Sequence, residues 1–169
     1  KARIASVEAL LAQARALADG EPETIDQDDT FSAVATGRLK LREFADGSAE
    51  LIHYHRADGP EARPSDYVRV PVADAAALRE ALARGCGVLG RVRKRRLLLR
   101  LGPTRLHLDR VEGLGDFVEL EVVLREGQSD DDGRAIADGW MRALGLQHAP
   151  RLGGAYLDQL RAAAGSTSA

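Results

Sequence analysis

In residues 38–42, Arg38, Lys40 and Arg42 alternate with Leu39 and Leu41, and this two-residue period does most to limit the fold. It returns in 104–109, where Arg105, His107 and Asp109 are set against Leu106 and Leu108. It returns again in 118–124, where Glu119 and Glu121 alternate with Val118, Leu120, Val122 and Leu124. Tyr67 and Arg69 alternate with Val68 and Val70, Lys94 shares its parity with Arg96 and Arg100, and Arg56 ends a strand carrying Ile52 and Tyr54. Successive strand residues point to opposite faces, so each segment has one apolar and one ionic face. A sheet with one face in water would satisfy that pattern. Here, however, the polar faces are almost wholly charged, and their signs are segregated: cationic at 38–42 and 94–100, anionic at 119–121. Like charges two apart on one face repel and require counter-charges. A closed antiparallel β-barrel with its ionic faces inward supplies them, so an α+β fold is expected, a β-tunnel with helices packed outside on the Leu and Val faces.

The remaining segments carry helix signals. Ser6 caps an expected helix through Val7, Leu10, Leu11, Ala14 and Leu17, ending at Asp19-Gly20, and Asp74 caps a second that closes at Gly85. A third follows the acidic run Asp130-Asp131-Asp132 and packs Ile136, Trp140 and Leu144. A short last helix around Tyr156, Leu157 and Leu160 is expected to fade into a frayed small-residue tail, 162–169. Strands are expected at about 25–32, 38–44, 49–56, 65–72, 89–101, 104–112 and 116–125. With no internal repeat and no long linker, residues 1–165 read as one domain and 166–169 as a flexible tail.

Composition removes several function classes. The 169 residues are 44% hydrophobic and 30% charged, enough apolar matter for a real core. Apolar runs fall far short of the ~20 residues a membrane helix needs, and no secretory signal is read at the start. A net charge of −2 argues against nucleic acid or anionic lipid as a partner. The single cysteine, Cys86, forms no internal disulfide and suits a reducing cytoplasm, with a structural or incidental role. No His-Glu-x-x-His, Walker loop, cysteine cluster or GxSxG elbow is present. His53 and His55 alternate with Ile52 and Tyr54 and are expected on the outer surface rather than as metal ligands.

Arginine and lysine converging in a partly dehydrated tunnel suit phosphate oxygens, which Arg can grip two at a time. Glu119 and Glu121 project in parallel and can share a hard cation, with Asp109 on a neighbouring strand completing an oxygen-rich site for Mg²⁺ or Mn²⁺. His107, with the parity of Asp109, is expected beside them. The chemistry favoured is phosphoryl or nucleotidyl transfer. Phe31, Tyr54 and Tyr67 are the candidates for contact with an organic moiety.

Asp29-Thr30-Phe31, the segments 37–43 and 50–56, Val92-Arg93-Lys94-Arg95-Arg96 and the run from His107 to Glu121 resemble the CYTH superfamily of triphosphate tunnel metalloenzymes. The likeness is nearest to class IV adenylate cyclases and their bacterial relatives and extends over nearly the whole chain. It implies a closed tunnel binding a triphosphate with Mg²⁺ or Mn²⁺. Carried over residue by residue, Lys40, Arg42, Arg56, Arg69, Lys94 and Arg96 would contact phosphates, Glu119 and Glu121 would hold metal with Asp109 assisting, and Lys1, Lys40 and Arg42 would serve catalysis. Lys1 matches the lysine closing the family's E-x-E-x-K signature, whose two glutamates are expected to precede it in the natural chain. Related proteins often pair, so a homodimer is expected too.

Several readings stand at this point. The first is a class IV adenylate cyclase-like enzyme converting ATP to cAMP and pyrophosphate. Hydrolysis of thiamine triphosphate or inorganic tripolyphosphate needs nearly the same cavity. A binding module that senses nucleotide or polyphosphate without turnover, and a purely structural β-domain, are the alternatives from other classes.

Overall fold

The computed structural model describes residues 1–55 and 66–166. Each of the first three helices among these residues begins at a side chain able to cap it. For α1 (Val7–Arg15), Ser6 Oγ accepts from Ala9 N at 3.0 Å; for α2 (Ala75–Gly85), Asp74 Oδ1 accepts from Ala77 N at 2.9 Å. The acidic run is itself the first turn of α3 (Asp130–Ala143). Its cap is Ser129, whose Oγ accepts from Asp132 N while Asp132 Oδ2 accepts from Ser129 N, a reciprocal capping box. Helix α1 stops short of Leu17 because the chain is drawn away: Asp19 N donates to Arg100 O at 2.8 Å and its carboxylate accepts from Gly102 N. Helix α4 (Tyr156–Ser166) runs further than expected, since its alanines are strong helix formers.

Eight strands follow the chain: β1 (Ala2–Arg3), β2 (Glu23–Ser32), β3 (Arg38–Phe44), β4 (Ala49–His55), β5 (Asp66–Val72), β6 (Val88–Leu101), β7 (Thr104–Val111) and β8 (Gly115–Val122). They are hydrogen-bonded in the order β1-β8-β7-β6-β2-β3-β4-β5. That order has two ends, so among the described residues the antiparallel sheet is open where a closed barrel was expected. A physical reason lies at β1. It is two residues long, pairs only Ala2 with Val118 and Arg3 with Phe117, and its other edge is taken by Arg151 and by Leu152 N, which donates to Lys1 O at 2.8 Å.

Two compact units divide the described chain, and β6 passes through both. The first comprises Lys1–Thr24 and Arg95–Gly153. Its core is the apolar parity of the strands, Leu99, Leu101, Leu106, Leu108 and Val118, covered by Val7, Leu10 and Ala14 of α1 and by Leu144, with Trp140 packed against them. Asp116 anchors α1 here: its Oδ2 accepts from Val7 N at 2.8 Å while Arg110 binds both carboxylate oxygens.

The second unit comprises residues 25–55, 66–94 and 154–166. Register places Phe31, Lys40, Ile52 and Arg69 in one row across β2 to β5, and Asp29, Arg42 and Glu50 in the next on the same face. Arg79 of α2 is tied to Glu43 at 2.6 Å, and Arg38 to Asp158 of α4 through two bonds of 2.7 and 3.0 Å. Leu157 sits directly over Gly90, where a Cβ would come within 2.6 Å of its Cδ1.

Leu108 is fully buried in the first unit's core. Leu108→Ala should lower unfolding free energy by about 2–5 kcal/mol, whereas Val123→Ala, at a position 45% exposed, should stay within about 0.5 kcal/mol. Urea denaturation of the two variants measures the contrast.

Candidate functional site

The second unit gathers its ionic face around one carboxylate. Asp29 is 3% exposed. Its Oδ1 accepts from Arg42 Nε at 2.7 Å, and its Oδ2 accepts from Arg42 Nη2 at 2.8 Å and Lys40 Nζ at 2.7 Å. Burial by itself raises the pKa of this carboxyl. The Lys40 charge, the hydrogen bond and charge of Arg42 and the charge of Lys94 outweigh it and hold Asp29 well below the ordinary carboxylate range. Lys94 is buried, with its ammonium 5.2 Å from the Tyr156 ring centroid. The Lys40 ammonium lies 5.5 Å from the centroid of Phe31 and 5.8 Å from that of Tyr54. Gln27, on the Asp29 face of β2, is buried, and its Oε1 has no hydrogen-bond partner among the described residues.

In the first unit, β7 and β8 pair Asp109 with Phe117, His107 with Glu119 and Arg105 with Glu121. Asp109 is wholly buried and taken in bidentate fashion by Arg96, through Nε and Nη2 at 2.7 Å each. Arg96 Nη2 also reaches Glu119 at 3.3 Å. Glu121 meets Arg105 at 3.3 Å, and His107 Nε2 stands 3.8 Å from it.

Lys40, Arg42 and Lys94 are thus brought together in one unit, and Arg96, Asp109, Glu119 and Glu121 in the other. Arg69 stands apart from the first group, half-exposed on β5 and bound to Glu50 at 2.6 Å. Lys1 contributes its carbonyl to the chain at Leu152. Arg56 lies outside the described residues. Sequence reasoning passed over Asp29 as a site residue, and over Gln27 and Tyr156. The signal for Asp29 was its place in the β2 segment facing two cations, which only register reveals.

Among the described residues no three His, Cys, Asp or Glu side chains group as a ready-made metal-ligand set. Glu119 and Glu121 still fit a hard cation, because their side chains are 24% and 46% exposed and carry only oxygen donors. Mg²⁺ is commonly held by one or two carboxylates while keeping waters and taking phosphate oxygens, so two glutamates suffice.

Removing Asp29 leaves two buried cations without their shared anion. Asp29→Asn should destabilise the protein by about 3–5 kcal/mol at pH 7. Because the folded-state pKa lies below the unfolded one, the wild-type advantage should be complete above about pH 4 and shrink as pH falls further. Denaturant titrations of both proteins across that range would show a constant difference if the carboxylate contributed nothing through its ionisation.

No curated protein matches the chain. Among solved structures, the PH1012 protein of Pyrococcus horikoshii OT3 superposes with a TM-score of 0.81 at 23% identity, over 93% of this chain and 94% of its own. A candidate adenylate cyclase from Vibrio parahaemolyticus gives 0.75 at 21% identity, over 95% and 94%. Another from Bacillus halodurans gives 0.64 at 14% identity, over 94% of each chain. At such identities the likeness establishes the fold alone. The sequence model of the CYTH domain matches residues 1–151, and by that match the chain belongs to the CYTH domain family.

Proposed function

We propose that this chain is a divalent-metal-dependent enzyme acting on a triphosphate, with cyclisation of ATP to cAMP and pyrophosphate as the favoured reaction. The observation that carries this reading is the convergence of Lys40 and Arg42, with the charge of Lys94, on the buried Asp29. Asp29 occupies the Nε and Nη2 side of the Arg42 guanidinium, so the Nη1 side is the one offered to a phosphate oxygen. Lys40 Nζ donates to Asp29 Oδ2 and is held in direction by that bond. A fixed cation in a water-poor site stabilises developing phosphate charge more strongly than a solvated one. We assign Arg96 and Lys94, two apart on one face of β6, to the same phosphate chain, with Arg69, Arg56 and Lys1 as further cationic contacts.

Glu119 and Glu121 are the residues we assign to hold Mg²⁺ or Mn²⁺, which supplies charge neutralisation at the phosphate oxygens. Asp109, with both oxygens on Arg96, is assigned to orient that guanidinium rather than to ligate. In cyclisation the ribose 3′-oxygen attacks the α-phosphorus, the bond to the bridging oxygen breaks, pyrophosphate leaves and the hydroxyl proton passes to solvent. Hydrolysis of thiamine triphosphate or tripolyphosphate needs the same cationic contacts with water as nucleophile. Fold neighbours described as candidate adenylate cyclases support the cyclase over these. The cytoplasmic location expected from the sequence stays part of this reading. For the described residues, no helix is long and apolar enough to cross a membrane.

Incubation with Mn²⁺ and ATP, thiamine triphosphate or tripolyphosphate, with cAMP, pyrophosphate and phosphate measured, tests the proposal. We expect cAMP and pyrophosphate from ATP, and a loss of at least about 100-fold in Glu119→Ala and Glu121→Ala. Phosphate without cAMP would replace the cyclase by a triphosphatase. Tight binding of all three without turnover would replace the enzyme by a sensor.

A further inference from the structure

On β4, His53 and His55 lie two residues apart and share a face with Leu39 and Val68, opposite the face of Lys40 and Asp29. Their ring centroids are 5.0 Å apart with planes at 79°. His53 Nε2 stands 3.1 Å from the Thr36 carbonyl oxygen. A carbonyl can only accept, so Nε2 carries the hydrogen, and the neutral ring keeps its lone pair on Nδ1. Imidazoles that ligate metals almost always donate their other ring N–H in this way, which fixes the tautomer and the ring's direction.

The turn before β3 is shaped to that ring. Gly37 has a φ of +65°, and a Cβ there would fall 2.8 Å from His53 Nε2 and 2.8 Å from the Tyr54 carbonyl oxygen. Glycine therefore permits both the backbone conformation and the close seat of the imidazole. The spacing of the two rings also suits a shared ion. With metal–nitrogen bonds of about 2.0–2.1 Å, two imidazoles on one tetrahedral ion place their centroids roughly 5 Å apart.

We propose that His53 and His55 chelate one borderline transition-metal ion, of the class Cu²⁺, Ni²⁺ or Zn²⁺, with the rest of its shell left to solvent. Neutral imidazole favours these ions over Mg²⁺ and Mn²⁺, and Cu²⁺ should bind most tightly of the series. The site uses none of the residues assigned to the triphosphate, so its fate does not depend on that reading.

The test is Cu²⁺ binding to the full chain without a purification tag, in a Cys86→Ser background because that thiol is exposed. Calorimetric titration gives affinity and stoichiometry, and electron paramagnetic resonance reports nitrogen coordination. We expect saturation at one ion per chain, nitrogen hyperfine structure and no displacement by excess Mg²⁺. His55→Gln, which leaves the His53 contact with Thr36 intact, should weaken binding at least about tenfold, and His148→Gln should not. Unsaturable binding in the parent protein, or equal affinity in the parent and His55→Gln, would overturn the proposal.

Discussion

The contact on which the second unit depends is the buried ion cluster of Asp29 with Lys40 and Arg42. Two cations on one strand face repel, and neither tolerates burial alone. The carboxylate opposite them on β2 makes that burial possible, because Asp29 and Arg42 are direct register partners and Lys40 pairs with Phe31, two residues along on the same face as Asp29. The same bonds that neutralise the cations also fix their direction. An Arg whose guanidinium is held on one side is preorganised on the other, which is the state a phosphate-binding residue needs.

The first unit repeats this device with different residues. Arg96 and Asp109 form a bidentate buried pair, and Arg96 reaches on to Glu119. On the opposite parity, Leu106 and Leu108 enter the apolar core beneath α1. Strand β7 is therefore buried on both faces, one dry and one ionic, which an ordinary half-solvated sheet would not require. Charge on the second face is tolerated because nearly every ionic group there faces an opposite one.

Much of this was legible in period and caps. Alternation at 38–42 and 104–109 correctly separated Leu39 and Leu41 from Lys40, and Leu106 and Leu108 from Asp109, whereas the alternation expected over 118–124 outlasts β8, which ends at Val122. Ser6 and Asp74 announced their helices because each hydroxyl or carboxylate stands three residues before the amide it accepts from. Ser129 was masked by the acidic run behind it, which draws attention as a charge cluster although Asp132 is half of the cap. Strand β1 has two residues and hence no period to read. Asp29 was obscured because β2, from Glu23 to Ser32, is polar on both parities, so its charged face emerges only once the strand is set against β3. The open ladder order reflects an edge, β1 against Arg151, that no local pattern encodes.

A calorimetric titration with tripolyphosphate addresses the account most directly, because that ligand offers phosphate charge and no organic group. Saturable binding by the parent protein, weakened about tenfold or more in folded Lys40→Gln and Lys94→Gln variants, is the predicted result for charged hydrogen-bond donors. Affinity unchanged by either substitution, in proteins whose thermal melts show an intact fold, would contradict it.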